Sequence, residues 1–367
     1  MKSVVLNIPE RMLFALLKAS LHQIETDPEC FQNVSAEDWK ECYQLAARQG
    51  VMALAWDGVM NLPASLQPAK ALKLTWGLAV EAYEKKYTRY CRTVQQLSDF
   101  YAGHGIVTVQ LKGVGFSACY PVPSHREGGD IDIYTFSADA GKMSDKEANE
   151  LADTLMKEQG IEVDMHSPKH SNFYYKGVPI ENHKNFLNVE WYKSAPSMNA
   201  LLHRVLDPQP TELLGGECRI CTPSPEFNTV FIAYHAAQHY GSGLTLHHLC
   251  DWAAILVRHG LHLPKEVTDK GFLRMIAAMT ELCNRYLGTS MPLPGEADEA
   301  NSVLAEMLHP AYPSEVPYTN KWKILWFKAR RMVYTYRLQS RVLERSLIGR
   351  VWEMIVVHIR KPETIFK

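Results

Sequence analysis

The strongest constraint on this chain is a change of pattern at residue 106. Upstream, residues 10–103 read as helix. Ser35 and Asp38 form a capping box, each satisfying a free N–H at a helix start. Pro63 and Pro68 interrupt the pattern. Residues 69–102 then read as one long helix, ended by Gly103-His104-Gly105. At residues 106–111 (IVTVQL) the chain becomes short, β-branched and apolar, the mark of a buried strand.

More strand-like segments follow. Residues 113–119 read as a short helix, and a loop with Pro121, Pro123, Gly128 and Gly129 leads to residues 130–136 (DIDIYTF), which alternate as a second strand. Residues 144–159 read as a helix starting at Ser144. Residues 161–164, 172–176 and 178–183 read as strands, the last two joined at Lys176-Gly177. Beyond about 195 helix returns, with Ser224-Pro225-Glu226 as a start signal. The expected organisation is an N-terminal helical region (1–104), a β-containing core (105–195) and a C-terminal helical region (196–367). Chemistry with fixed geometry belongs on the core, because strands hold side chains in set directions.

Composition narrows the class. In 367 residues, 39 Lys plus Arg balance 40 Asp plus Glu, and 46% are hydrophobic. This profile excludes collagen, coiled coil and wholesale disorder. The formal charge of −1 argues against a general nucleic-acid coat protein. The N-terminal apolar stretch is broken by Asn7, Pro9, Glu10 and Arg11, unlike a secretory signal. No window reaches the about 18 apolar residues that span a bilayer. The eight Cys are read as reduced thiols, and the expected location is cytoplasmic.

Asp130 and Asp132 lie two apart on the second predicted strand, so both carboxylates project from one face. Like charges this close repel, and a divalent cation relieves them. A third acid normally completes such a site from a neighbouring strand. Glu181 is favoured, then Asp164, with Glu190 the remaining candidate. D-x-D alone is common at strand ends. The preceding strand, the Lys112-Gly113 helix start and the Gly128-Gly129 lead-in favour the metal reading.

The order of strand, Gly at a helix start, loop, D-x-D strand and later acidic strand residue resembles the polymerase-beta-type nucleotidyltransferase superfamily. Within it, "LKG … YP … R … GDIDIY", "KHSNFYYKGVPIENHKNFLN" and "HHLCDWA" are similar to the uncharacterised nucleotidyltransferase family of bacteria. The resemblance implies an α+β fold with a mixed sheet and flanking helices, dependence on Mg²⁺ (or Mn²⁺), and a nucleoside triphosphate, such as ATP, as substrate. By position it implies that Asp130, Asp132 and Glu181 bind metal and catalyse, and that Gly113 is the phosphate-approach glycine. One departure matters: Val114 follows Gly113 where most members have Ser or Gly. Lys112, Ser117 and Arg126 are the candidates to contact phosphate instead. The helical region that follows is expected to wall the site, making His239, His248 and Asp251 candidate substrate contacts, together with His183 at the end of the 178–183 strand.

Other signals compete. Residues 113–118 match G-x-G-x-x-A after a strand, a dinucleotide fingerprint, but Asp130 begins a strand where that fold needs an acid ending one. His235 and His239 stand one helical turn apart and, with His247, His248 and Asp251, suggest zinc. The missing Glu of H-E-x-x-H argues against a protease, and a packing or substrate-facing role is favoured. Cys218 and Cys221 lack a second pair for a zinc ribbon. Residues 321–367 hold twelve Lys or Arg against three Glu, interleaved with aromatics. This reads as a basic amphipathic helix packed by its aromatics, with an anionic partner as the alternative. The expected function is metal-dependent transfer of a nucleoside monophosphate to a hydroxyl of a small molecule, sugar or protein. The competing readings are a catalytically idle nucleotide- or partner-binding protein and a zinc hydrolase.

Overall fold

The computed structural model describes residues 4–190, 192–313 and 316–344. Helices α1 (Ile8–His22), α2 (Ala36–Arg48), α3 (Met52–Met60) and α4 (Lys70–Ala102) precede β1 (Ile106–Gln110) and β2 (Ile131–Ser137). Helix α5 (Asp145–Glu158) leads to β3 (Val163–Asp164), β4 (His170–Tyr175) and β5 (Val178–His183). Then come α6 (Ala195–Val205), β6 (Gln209–Leu213), β7 (Cys218–Thr222), α7 (Pro225–His239), α8 (Leu246–His259), α9 (Lys270–Tyr286), α10 (Ala300–Leu308) and α11 (Lys321–Val342).

Local signals start several helices where expected. Ser35, Ser144 and Ser224 each cap a helix through the side-chain oxygen, the first two in reciprocal boxes with Asp38 and Glu147. Between 113 and 119 only Phe116–Cys119 is helical, as a single 3-10 turn. Lys176 and Gly177 both take positive φ in the tight turn joining β4 to β5.

The seven strands form one mixed sheet in the order β3-β4-β5-β2-β1-β7-β6, giving the α+β class expected. Strands β1 and β2 are antiparallel neighbours, so the glycines after β1 do not open a βαβ dinucleotide unit. The C-terminal region is not helical throughout. Strands β6 and β7 form a hairpin, and β7 pairs in parallel with β1. The sheet therefore draws on residues beyond 195. Pro210 sits in β6, at the sheet edge, where a missing N–H is tolerated.

The two faces of the sheet bury different layers. Ile131 and Ile133 of β2 and Ile180 of β5 join Val94, Leu97 and Tyr101 of α4 and Ala152 and Met156 of α5. Tyr134, on the other face of β2, packs on Phe186, and Phe186 meets Phe227 of α7 edge to face. Period two thus turns Asp132 toward the α7 side. The helical body behind is a second apolar cluster centred on α1, α3, α7, α8 and α9, with Trp76 and Trp252 fully buried. All eight cysteines are free thiols.

Helix α11 packs through Ile324, Phe327, Leu338 and Val342, while Trp322 and Trp326 are exposed. Its largest aromatics therefore do not seal it to the body through the described residues. Residues 345–367 of the basic segment lie outside the described residues. Among the described residues, no helix is long and apolar enough to cross a membrane.

Candidate active site

The site grows from the register of two strands. Asp132 of β2 lies directly opposite Glu181 of β5, and Tyr134 opposite His183. Residues 132, 181 and 183 therefore share a face. Asp132 is fully buried, yet its Oδ1 lies 3.0 Å from Lys112 Nζ and accepts a hydrogen bond of 2.9 Å from His183 Nε2. His183 Nε2 and His170 Nε2 each stand 3.6 Å from Glu181 Oε2. Asp130 is not part of the ladder, which begins at Ile131. Its carboxyl sits at the strand's mouth, where it lines a cavity of about 470 Å³ with Asp132 and another of about 660 Å³ with Glu181. The structure thus brings all three acids to one end of the sheet. Asp164 lines the second cavity, while Glu190 is exposed.

The electrostatics follow from this arrangement. Burial works to raise the Asp132 carboxyl, but the Lys112 ammonium and the His183 hydrogen bond outweigh it and hold the group well below the carboxylate range. Burial works against the Lys112 ammonium, and the Asp132 and Asp130 charges outweigh that and raise it. The Asp130 carboxyl is pushed up by burial and then by the Asp132 charge. Burial tends to raise Glu181 too, but the His183 hydrogen bond prevails and lowers it. Lys169 was passed over by the sequence reading. Burial, and then Lys112 beside it, bring it down to about 8. Asp130 repelled by its neighbour is a strain that a divalent ion relieves. Asp132, Glu181 and His183 offer ligand atoms within 4.8 Å of one another, with Asp130 at the mouth beside them, and carboxylate oxygens are the donors Mg²⁺ or Mn²⁺ takes, so the residues fit.

The first cavity is walled by Arg48, Lys86, Lys112, the 126–130 loop and α8. Gly113 has φ +56°, and a Cβ there would come within 2.9 Å of Asp130 O, so only glycine suits this turn. Arg126 stands in the wall, with three of its five N–H donors engaged. It makes a two-pronged ion pair with Asp251 (2.9 and 2.7 Å) and donates to Gly113 O. Tyr120 also donates to Asp251. Arg126 and Asp251 thus tie the loop to α8. Ser117 is buried, donates to Val114 O and lies 3.1 Å from Tyr87 Oη, so its hydroxyl is turned to the core. Ser117 therefore stabilises the turn after β1 instead of facing the cavity as a phosphate contact.

The candidate substrate histidines separate. His183 joins the acids, which its place two residues after Glu181 could have revealed. His248 lines the first cavity together with His235. His239 lies beside both, edge-on to His235 and tilted to His248, with ring centroids 4.6 Å and 4.8 Å away. Missed by sequence reading were Arg48 and Lys86, which carried no local signal, and Lys169.

A family model described as uncharacterised nucleotidyltransferase matches residues 35–288, more than half of the chain. No curated protein and no solved structure matches.

Proposed function

Because this chain belongs to the uncharacterised nucleotidyltransferase family, and is in general terms a nucleotidyltransferase, we propose that it moves a nucleoside monophosphate from an NTP to an acceptor hydroxyl. The observation that carries this reading is the Asp132–Glu181 register with Asp130 at the strand mouth. These three carboxylates would hold Mg²⁺ or Mn²⁺. When bound, the metal supplies charge neutralisation to the triphosphate and to the attacking and leaving oxygens.

The chain's own residues divide the remaining work. Lys112, Lys86 and Arg48 bring positive charge to the first cavity, which suits the triphosphate. Gly113 lets the backbone come close to a phosphate. The second cavity is lined by four acids, Asp130, Glu162, Asp164 and Glu181, with no Lys or Arg among the described residues. That lining repels phosphate and suits the acceptor. Glu181, ionised because His183 lowers it, takes the acceptor's proton. The acceptor oxygen bonds to the α-phosphorus, and the bond to the departing pyrophosphate breaks.

The test is pyrophosphate release from a panel of NTPs with Mg²⁺. Release by the native chain and its loss in an Asp130→Ala/Asp132→Ala variant are expected. Retained metal-dependent turnover in that variant overturns the assignment. The idle-binder reading keeps one supporting feature, Val114 in place of Ser. NTP and metal binding without turnover, across acceptors, would favour it.

A further inference from the structure

Helix α7 is buried along almost its whole length, with Phe227, Val230, Phe231, Ala233, Tyr234, Ala236 and Ala237 in the core. Two imidazoles, His235 and His239, break its apolar surface one turn apart. His248, in the first turn of α8, meets them across the Gly241–Gly243 connection. Each ring can present a nitrogen such that the three nitrogens lie within 4.8 Å of one another. Neither His235 nor His239 has a side-chain hydrogen bond to protein among the described residues, so at least two rings have nitrogens free for a ligand. A sheath of core residues holds the helices that carry them.

We propose that His235, His239 and His248 form a binding site for a zinc-like transition-metal ion, separate from the carboxylate site. Three imidazole nitrogens are a borderline-soft donor set that suits Zn²⁺, Co²⁺ or Ni²⁺ and is a poor one for Mg²⁺. The carboxylate site has the opposite preference. In tetrahedral coordination at about 2.0–2.1 Å, ligand nitrogens stand about 3.3 Å apart. The present spacing needs modest ring rotations, which half-buried side chains beside a cavity can make. Burial, reinforced by neighbouring positive charge, keeps the rings neutral, with His239 lowered to about 4 and His235 and His248 also lowered. Neutral rings are the metal-binding form. The Lys112 charge that would oppose a cation is matched by Asp132 at 3.0 Å.

A second layer is present as well. His248 Nδ1 accepts from Thr245 N–H (3.2 Å) and lies 3.1 Å from Thr245 Oγ1. Coordination through Nε2 moves the ring proton to Nδ1, which gives up the bond from Thr245 N–H and donates instead to the Thr245 hydroxyl oxygen. An acceptor behind a metal-bound histidine is the usual support for such a ligand. Three protein ligands leave a fourth position open toward the cavity, the arrangement of reactive rather than purely structural zinc. The inference stands apart from nucleotidyl transfer, since it requires no NTP.

The test uses the full chain without a polyhistidine tag, stripped with chelator and titrated with Zn²⁺ and Co²⁺. Expected are one bound ion per chain, visible Co²⁺ bands of a tetrahedral site, and loss of both in His235→Ala/His239→Ala. Because that variant changes a buried helix, His248→Gln at the helix start is measured in parallel, with circular dichroism as the folding control. Thr245→Val is expected to weaken zinc about tenfold. If the native chain binds no ion, the proposal fails. It fails equally if folded His248→Gln keeps full affinity, or if Asp132→Asn/Glu181→Gln abolishes zinc while the histidine variants retain it.

Discussion

Two groups of metal-competent side chains stand beside one cleft, and the chain builds them by different means. The acids come from adjacent strands, where register sets Asp132 against Glu181. The histidines come from one helical turn of α7 and the first turn of α8. Strand pairing fixes its side chains through shared backbone hydrogen bonds, whereas helix packing leaves ring torsions to settle the last ångström. Asp132 and Glu181 are already engaged, by Lys112 and His183, while among the described residues the His235 and His239 side chains make no hydrogen bond. The sheet-borne group is thus preorganised around charge, and the helix-borne group around uncharged lone pairs. Arg126 and Asp251 tie the halves together, one on the loop before β2 and the other on α8.

The largest expected effect comes from removing charge on the strand side. Asp132→Asn keeps the shape and should lower NTP turnover at least about a hundredfold, read as pyrophosphate release, while zinc binding, which loses only the charge that offsets Lys112, falls far less. Equal loss of both would dissolve the distinction between the two groups. The tie itself comes next. Asp251→Asn leaves Arg126 buried without its counter-charge and should cost about 3–5 kcal/mol by urea denaturation. A near-neutral result would show the halves hold together without it.

The same pair gives a pH signature. The Asp251 carboxyl is held at about 2 against an ordinary 3.8, because the Arg126 charge outweighs burial. A lowered carboxyl contributes fully above its unfolded value and is lost as pH falls through its folded one. Between about pH 4 and 2 the native chain should therefore lose about 2 kcal/mol that Asp251→Asn does not have to lose. Denaturation midpoints across that window check it. The smallest effect is on ground-state binding. Lys112→Met should raise the KM for NTP about tenfold, with a smaller change in kcat, measured by initial rates.

Much of the frame could be read from the sequence because it rests on local chemistry. Ser35, Ser144 and Ser224 cap helices through neighbours three residues away, and residues 178–183 form a strand with the bounds expected. The D-x-D pair was visible as well, but Asp130 falls outside the ladder because pairing with β5 begins at Ile131. Strand β6 escaped notice because Pro210 and its exposed side hide any alternation, whereas β7 alternates but drew attention only as a lone C-x-x-C. The Arg126–Asp251 pair spans 125 residues, a distance no local pattern encodes. Ser117 looked available for the same reason, since nothing nearby in sequence announces Tyr87. Lys169 acquires its character only from the burial, and then the charges, that folding brings around it.

The pairing of β7 with β1 carries a practical consequence. A fragment trimmed to residues 105–195 would strip β1 of that neighbour and leave a raw row of amide and carbonyl groups along it. Such a margin recruits foreign strands. Trimming would thus trade a tidy enzyme for a sticky one, and any shortened version meant for crystallisation should carry the chain at least through Thr222.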